Sequence, residues 1–206
     1  TAAWTLHPDV RSVIEIGGQD SKFIRIGRDA DGSPFIEDSA FNDLCAAGTG
    51  AFLDQMAERL GLDIETFGRL GGGAARPARM AGRCTVFAKT DMIHLQQRAC
   101  PTDEIVAGLC FALARTYLAN LCHGRRPEPL VVVQGGVADN DGVVRAFREI
   151  LGLGGDQVAR AARPRVMGAL GAALLGTAVG ASLGELARRA HGLQADSGPA
   201  SGLGPL

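Results

Sequence analysis

Short hydrophobic runs along the chain predict five β-strands separated by polar or glycine-bearing turns. The predicted strands cover residues 13–16, 21–26, 34–37, 130–134 and 158–160. The run at 130–134 is rich in valine and continuous rather than alternating, which is typical of a strand buried on both faces. The first two strands are joined by Gly17-Gly18-Gln19-Asp20, so the sheet is expected to begin with an antiparallel hairpin.

Apolar residues at helical spacing predict the helices that lie between these strands. In the first helix the residues that share one face are Phe52, Leu53, Met56, Ala57 and Leu60. Its end is predicted at Gly61 and its start at Asn42 or Asp43, so that Cys45 lies in the opening turn. Further helices are predicted at residues 63–70, 91–97, 102–122, 142–151 and 167–174. Strands that alternate with helices after an antiparallel start predict a mixed α/β sheet covered by helices.

Composition excludes several classes of protein. With 206 residues, 46% hydrophobic content and a net charge of −1, the chain offers no reason to expect a nucleic acid or an acidic membrane as partner. We see no apolar run that would span a bilayer and no export leader, so the sequence predicts a cytoplasmic protein. The chain begins with Thr1 and its first strand follows almost at once, which suggests a piece of a longer protein. Residues 190–206 are rich in Gly, Pro, Ser and Ala and predict a disordered tail.

Two glycine pairs are candidates for contact with a phosphate or a nucleotide. Gly17 and Gly18 permit positive φ and expose backbone N–H groups, although a Gly-Gly hairpin is more often a plain turn. Gly135 and Gly136 follow the buried strand and precede a helix, an arrangement that brings backbone against nucleotides in many α/β proteins.

The five cysteines are irregularly spaced, which favours thiols or metal ligands over a disulfide framework. Cys45 precedes a stretch of Ala and Gly that lets another backbone or a cofactor approach closely. Its ionisation at pH 7 would cost roughly 2 kcal/mol, and a helix end returns only about 0.3–1 kcal/mol, so a metal or cluster would be needed. The alternative is a small buried residue. Cys84 lies far outside C-x-x-C spacing from Cys45, so only the fold could bring both thiols to one ligand.

Five stretches, in order over about residues 10–178, together resemble a known family. They are I-E-I-G-G-Q-D-S-K, N-D-L-C-A-A-G-T-G-A-F-L-D, R-C-T-V-F-A, Q-G-G-V-A-D-N and M-G-A-L-G-A-A-L. They are similar to the activator components of 2-hydroxyacyl-CoA dehydratases and the ATPase subunits of benzoyl-CoA reductases, within the actin, Hsp70 and sugar kinase superfamily. In its local sequence the chain is most similar to the activase-like domains of long fused CoA activases.

This resemblance implies a fold and a set of binding residues. Residues 10–180 would form a ribonuclease H-like mixed sheet with flanking helices, the second lobe of the actin/Hsp70/hexokinase-type ATPase fold. ATP with Mg²⁺ would bind at an adenosine turn, Gly135 and Gly136, and at a phosphate hairpin. The hairpin residues implied are Gly17, Gly18, Gln19, Asp20, Ser21 and Lys22. Cys45 and Cys84 would hold one [4Fe-4S] cluster shared across a homodimer or a pair of activase domains. No catalytic residue is implied.

The implied activity couples ATP binding and hydrolysis to the transfer of one low-potential electron. The acceptor would be a 2-hydroxyacyl-CoA dehydratase or related reductase of anaerobic metabolism, and the donor a ferredoxin or flavodoxin. Two departures bear on this. Lys89 stands where the family has a carboxylate, and the first lobe with its own phosphate hairpin is absent, so we expect the fragment alone to be inactive. The alternatives are a cluster-free nucleotide-binding or kinase-like lobe, and an inactive structural or regulatory module of a fused protein.

Overall fold

The computed structural model describes residues 1–42, 48–81 and 85–176, together with residues 184 and 188. The chain divides into two compact units, Thr1–Leu174 and Leu175–Leu206, and the sheet with its covering helices belongs to the first unit. Cys45, Cys84 and the predicted tail over residues 190–206 lie outside the described residues.

A five-stranded mixed sheet forms the centre of the first unit, with strand order β3-β2-β1-β4-β5. The strands are β1 Ser12–Ile16, β2 Ser21–Arg28, β3 Pro34–Asn42, β4 Val131–Gln134 and β5 Val158–Arg160. β1, β2 and β3 form an antiparallel meander, whereas β4 runs parallel to β1 and β5 runs parallel to β4. The mixed α/β sheet predicted from the sequence is therefore confirmed. β3 is longer than its hydrophobic pattern indicated, because an exposed edge strand needs few apolar residues.

Seven α-helices cover the sheet within the described part of the chain. They are α1 Ala2–Leu6, α2 Gly50–Leu60, α3 Ile64–Gly73, α4 Thr85–Gln97, α5 Thr102–Leu121, α6 Asp141–Leu151 and α7 Met167–Leu175. The predicted stop at Gly61 is confirmed, since this residue ends α2 in the left-handed conformation with φ 67°. The short helix α1 has no counterpart in the sequence prediction.

The start of α2 differs from the prediction. Asn42 is the last residue of β3, and the helix begins at Gly50 after Thr49, whose backbone is extended. The predicted start of α2 at Asn42 or Asp43 is therefore wrong, while Asp43 and Cys45 themselves lie outside the described residues. The physical reason is that the first N–H groups of α2 have partners elsewhere: the N–H of Gly50 and that of Ala51 donate to carbonyl oxygens of the β1–β2 turn at 2.8 and 2.7 Å.

Hydrophobic residues fill both faces of the sheet. Ile14 and Ile16 of β1 face a large cluster that also includes residues of α2, α3, α5 and α6. Val13 faces a smaller cluster with residues of α1 and α7. Contrary to our sequence analysis, α5 is long and apolar enough to cross a membrane, and it is the one such helix in the described residues. Most of α5 is buried, including the predicted core residue Cys110, as expected for the central helix of a core.

Candidate functional site

A cavity of about 200 Å³ lies where the β1–β2 turn, α2, α3 and the segment after β4 meet. The residues that line it are Gly18, Gly50, Leu53, Asp54, Ile64, Glu65, Gly136, Val137, Asp139, Asn140 and Arg165. Gly18 and Gly136 belong to the two glycine pairs that the sequence analysis selected separately. The fold brings them together because β1 and β4 are adjacent and parallel, so that the turns following both strands lie at the same edge of the sheet.

The β1–β2 turn is built for close contact between backbones. The N–H of Gly17 donates to the carbonyl oxygen of Asp20 at 2.9 Å and closes the turn. A Cβ atom on Gly50 would lie 2.9 Å from Val137 Cγ2 and 3.1 Å from the carbonyl oxygen of Gly17. Any larger residue at position 50 would therefore push α2 away from the turn and from the segment after β4.

The turn after β4 depends on a glycine as well. Gly135 has φ 88°, and a Cβ atom on it would lie 2.3 Å from the carbonyl oxygen of Ile16. Its N–H donates to the carbonyl oxygen of Pro164 at 2.9 Å. A 3₁₀ turn at Gly136–Asp139 follows, and Asn140 then caps α6 by accepting the N–H of Val143 at 3.1 Å. The turn is thus fixed against the end of β1 on one side and leads directly into α6 on the other.

Gly18 and Gly136 leave open space on the side of the cavity. A Cβ atom on either residue would meet no atom within 4 Å, and both residues are exposed. The side chains of Leu53, Ile64 and Val137 provide apolar lining. Bare backbone beside an apolar wall can accept a flat ring system together with an anionic group, which is the chemistry of a nucleotide.

Four lining residues of the cavity, Asp54, Glu65, Asp139 and Arg165, carry charges that the sequence analysis did not connect with binding. Arg165 Nε donates to Asp139 Oδ2 at 2.5 Å, and this hydrogen bond raises the pKa of Arg165. Glu65 lies in the first turn of α3 and also acts on Arg165 through its charge. No local motif marks Glu65 or Arg165, because they reach the cavity only through the packing of α3 and of the segment before α7.

The structure separates Ser21 and Lys22 from this cavity. Ser21 is buried beside Gly48, and its Oγ has no hydrogen-bond partner among the described residues. Lys22 Nζ donates to Asp20 Oδ2 at 2.7 Å and to Glu15 Oε1 at 3.4 Å, and the bond to Asp20 is the main reason that the pKa of Lys22 is raised. Neither residue lines the cavity that Gly18 and Gly136 share.

Glu15 is a further charged residue near both turns that the sequence analysis missed. It pairs with Lys22 across β1 and β2 and with Gln134 across β1 and β4. Gln134 Nε2 donates to Glu15 Oε2 at 2.6 Å, while Gln134 Oε1 is buried without a hydrogen-bond partner in the described part of the chain. The carboxylate of Glu15 is therefore held between a cation and an amide at the edge where the two glycine turns begin.

The two predicted cluster ligands, Cys45 and Cys84, lie outside the described residues, but residues flanking them contact the same helix. A Cβ atom on Gly48 would lie 3.9 Å from the Cα of Tyr117, and Arg115 Nη2 donates to the carbonyl oxygen of Met80 at 3.0 Å. Arg115 and Tyr117 belong to one turn of α5. Among the described residues, no group of three or more His, Cys, Asp or Glu side chains could hold a metal ion.

The three described cysteines are free thiols. Cys110 and Cys122 are buried, and burial raises the pKa of each thiol to about 12. Cys110 Sγ lies 3.7 Å from Asn140 Oδ1, beneath the start of α6. Cys100 is half-buried, and desolvation raises the pKa of its thiol as well. All three are therefore protonated at neutral pH and poor nucleophiles.

Comparison with known proteins gives consistent matches over the same region. The profile of the BadF/BadG/BcrA/BcrD ATPase family matches residues 1–176. The activator of lactoyl-CoA dehydratase from Anaerotignum propionicum is 38% identical over 169 residues, 82% of this chain and 62% of that protein. This chain spans 60–62% of the length of three curated relatives.

Two solved structures share the fold. Component A of (R)-2-hydroxyglutaryl-CoA dehydratase from Acidaminococcus fermentans has a TM-score of 0.75 and 34% identity, covering 85% of this chain and 64% of that chain. The activator of 2-hydroxyisocaproyl-CoA dehydratase from Clostridium difficile, solved with bound ADPNP, has a TM-score of 0.74 and 29% identity, covering 94% of this chain and 66% of that chain.

Proposed function

Because this chain belongs to the BadF/BadG/BcrA/BcrD ATPase family, we propose that it is one lobe of an ATP-dependent activator of a 2-hydroxyacyl-CoA dehydratase or a related reductase. The activator would accept one low-potential electron from a ferredoxin or flavodoxin and pass it to that partner enzyme. Relatives named as activators of three different 2-hydroxyacyl-CoA dehydratases support this substrate class for the partner.

The observation that carries the proposal is the meeting of Gly18 and Gly136 at one cavity. In our proposal the turn Gly17–Asp20 receives the phosphates of ATP with its Mg²⁺, and Gly135 with Gly136 contacts the adenosine. The glycines at 18 and 136 leave open the space that side chains would fill. Lys22 would act from a distance, since Asp20 and Glu15 bind its ammonium group.

We assign the cluster to Cys45 and Cys84, with two thiolates from each of two chains or paired domains. Support comes from their described flanks. The carbonyl oxygen of Met80 accepts a hydrogen bond from Arg115, and a Cβ atom on Gly48 would lie 3.9 Å from the Cα of Tyr117 in the same turn of α5. When bound, a [4Fe-4S] cluster supplies one-electron chemistry at low potential. The chain's own contribution would be to hold both thiolate-bearing segments on a rigid, buried helix.

The domain organisation is part of the proposal. Residues 10–180 would form the second lobe of the ATPase, while a first lobe, in the same protein or another, would close the nucleotide site from the opposite side. A chain that spans 60–62% of the length of its relatives fits this arrangement. We therefore expect weak nucleotide binding and no ATP hydrolysis by these 206 residues alone. A cytoplasmic, anaerobic setting would suit an oxygen-sensitive cluster.

The test of the cluster is anaerobic reconstitution of the chain with iron and sulfide, followed by measurement of the iron content. We expect about four irons per two chains, lost in both Cys45→Ala and Cys84→Ala. Cys100→Ala is the matched control and should keep its iron, because Cys100 is a free, half-buried thiol outside the proposed ligand set.

If the wild-type chain takes up no iron, the bridging cluster is refuted, and the nucleotide-binding part can still be tested by titration with ADPNP. Binding of ADPNP without iron would indicate a cluster-free lobe of the same superfamily. If neither iron nor ADPNP binds, an inactive structural module is the better description.

A further inference from the structure

A second concave surface lies along α3 and α6 and shares no residue with the nucleotide cavity. It is an open depression of about 620 Å³ at the C-terminal end of α3. The residues that line it are Arg69, Gly72, Gly73, Asp141, Val144, Arg145, Arg148 and Arg160. It therefore holds four arginines against one carboxylate, on a chain whose net charge is −1. We call this surface the arginine depression.

Hydrogen bonds to main-chain carbonyl groups hold two of these arginines in place. Arg145 Nη1 donates to the carbonyl oxygen of Ala74 at 2.6 Å and, at 3.4 Å, to those of Gly71 and Gly72, at the C-terminal end of α3. Arg148 Nε and Nη2 donate to the carbonyl oxygen of Val158 at 3.3 and 3.0 Å. Carbonyl oxygens are neutral acceptors, so these bonds fix both guanidinium groups without neutralising them. Arg145 is in addition ion-paired with Glu149, whereas Arg148 has no carboxylate partner in the described part of the chain.

Donors remain on the other side of these groups. The described contacts of Arg145 use Nε, bound to Glu149 at 2.6 Å, and Nη1, which leaves Nη2 without a partner in the part of the chain that the structure describes. For Arg148 the corresponding nitrogen is Nη1. Arg160 binds Asp141 through Nη2, and Arg69 binds Thr66 Oγ1 through Nη2 at 3.0 Å. Arg69 and Arg160 are exposed, and Arg160 would exchange its ion pair with Asp141 for a carboxylate of the ligand.

We infer that the arginine depression is a docking site for an acidic segment of a partner protein. Guanidinium groups recognise carboxylates through paired N–H bonds, and prior fixing of two of them lowers the entropic cost of binding. The depression is shallow and wide, and its cations come from two helices and a strand end. This spacing suits several carboxylates along a peptide better than one compact phosphate group. The inference does not depend on the nucleotide site or the cluster.

The probe is a fluorescently labelled hexaglutamate peptide, with hexaglutamine and hexalysine as controls, added to the full chain and followed by fluorescence anisotropy. We expect binding of hexaglutamate alone, and weakening of that binding as salt is raised. The test variant is the double substitution Arg69→Glu/Arg160→Glu, which spares the structural bonds of the other two arginines and should weaken binding by about tenfold or more.

The matched control is the double substitution Arg59→Glu/Arg98→Glu, which changes the net charge equally at two exposed arginines outside the depression. It should weaken hexaglutamate binding by less than about threefold. Equal weakening by both doubles would show general charge attraction and would overturn the docking site. Absence of hexaglutamate binding, or tighter binding of inorganic pyrophosphate that displaces the peptide, would overturn it as well. Circular dichroism of each variant establishes that it is folded.

Discussion

At the scale of single residues, glycines determine how closely the backbone segments approach each other. Because Gly50 has no Cβ atom, the β1–β2 turn can approach the start of α2. Because Gly135 has none, the end of β1 can approach the turn after β4. Only Gly135 of these two also needs a positive φ, and its φ of 88° with ψ of 171° lies in a region that is essentially restricted to glycine. The edges of the proposed nucleotide cavity therefore depend on the absence of Cβ atoms at these two positions.

We predict that Gly135→Ala destabilises the protein severely. The new Cβ would overlap the carbonyl oxygen of Ile16 at 2.3 Å and force a positive φ on alanine. The free energy of unfolding, measured by urea denaturation, should fall by about 3 kcal/mol or more. Gly155→Ala is the control, since a Cβ there meets no atom within 4 Å and should change stability by less than about 1 kcal/mol. Equal losses in the two variants would contradict the steric argument.

We predict a pH dependence of stability from the buried thiol of Cys110. Burial raises its pKa to about 12 from an ordinary value of 9.0, so between these pH values the folded protein keeps a proton that the unfolded chain releases. The stability contribution is complete below pH 9.0 and is lost as pH rises toward 12.

The test of this pH dependence compares urea unfolding at pH 8 and pH 10. The wild-type loss over this interval should exceed that of Cys110→Ala by about 1.4 kcal/mol. Val106→Ala truncates a neighbouring core residue that does not titrate, so it should be less stable than wild type but retain the wild-type pH dependence. A pH dependence identical in Cys110→Ala and wild type would refute the assignment.

At the scale of elements, the starts of α3 and α6 and the ends of α2 and α6 obey local rules. Asp63 caps α3 by accepting the N–H of Thr66 at 2.7 Å, and this bond lowers the pKa of its carboxyl group. Gly61 and Gly152 end α2 and α6 in the left-handed conformation. The start of α2 has no side-chain cap, because its first N–H groups donate to carbonyl oxygens of the β1–β2 turn. When distant parts of the chain bind the backbone N–H groups at a helix start, no capping residue is needed there, so the local sequence does not mark that start.

We predict that the cap of α6 contributes measurably to stability. Asn140→Ala removes the side-chain acceptor of the buried Val143 N–H, which also donates to the carbonyl oxygen of residue 140 at 3.2 Å, and should lower the free energy of unfolding by about 1 kcal/mol. Asn140→Ser retains an oxygen that can accept this bond and should recover at least half of the loss. Hydrogen exchange at Val143 reports the same bond directly. Equal protection of that amide in Ala and Ser variants would argue against the cap.

At the scale of the whole molecule, the parallel pairing of β1 with β4 brings the two glycine turns to one edge of the sheet. The helices α2 and α3 then supply the remaining walls of the cavity. The arginine depression lies at the other end of α3, so a partner docked there would contact a helix whose first turn lines the proposed nucleotide cavity.

We predict that filling the cavity weakens nucleotide binding without unfolding the protein. Gly136→Leu introduces a side chain whose Cβ meets no atom within 4 Å, so stability should change by less than about 1 kcal/mol. Binding of ADPNP, measured by calorimetry or by NMR titration, should weaken by about tenfold or more. Gly155→Leu is the matched control and should bind as wild type does. Unchanged ADPNP binding in Gly136→Leu would remove this cavity from the nucleotide site.

Local patterns along the chain were enough to predict the type and order of the strands and of the larger helices, and they indicated the family. Hydrophobic periodicity, glycines that end helices and capping residues each determine structure within a few residues along the chain. They can therefore be recognised from the sequence. For the same reason Gly18 and Gly136 could be selected as candidates, each from its own turn. The roles of Cys45 and Cys84 remain predictions, since both lie outside the described residues.

Which distant groups share a site depends on the tertiary structure. The N–H partners of α2, the contacts of Glu15 and the grouping of four arginines all join residues that are far apart along the chain. Strand order and helix packing determine such contacts, and no local periodicity encodes them. Polar and charged residues are especially hard to assign from sequence, because the same side chain can be solvated, paired or part of a binding site according to what the fold places beside it.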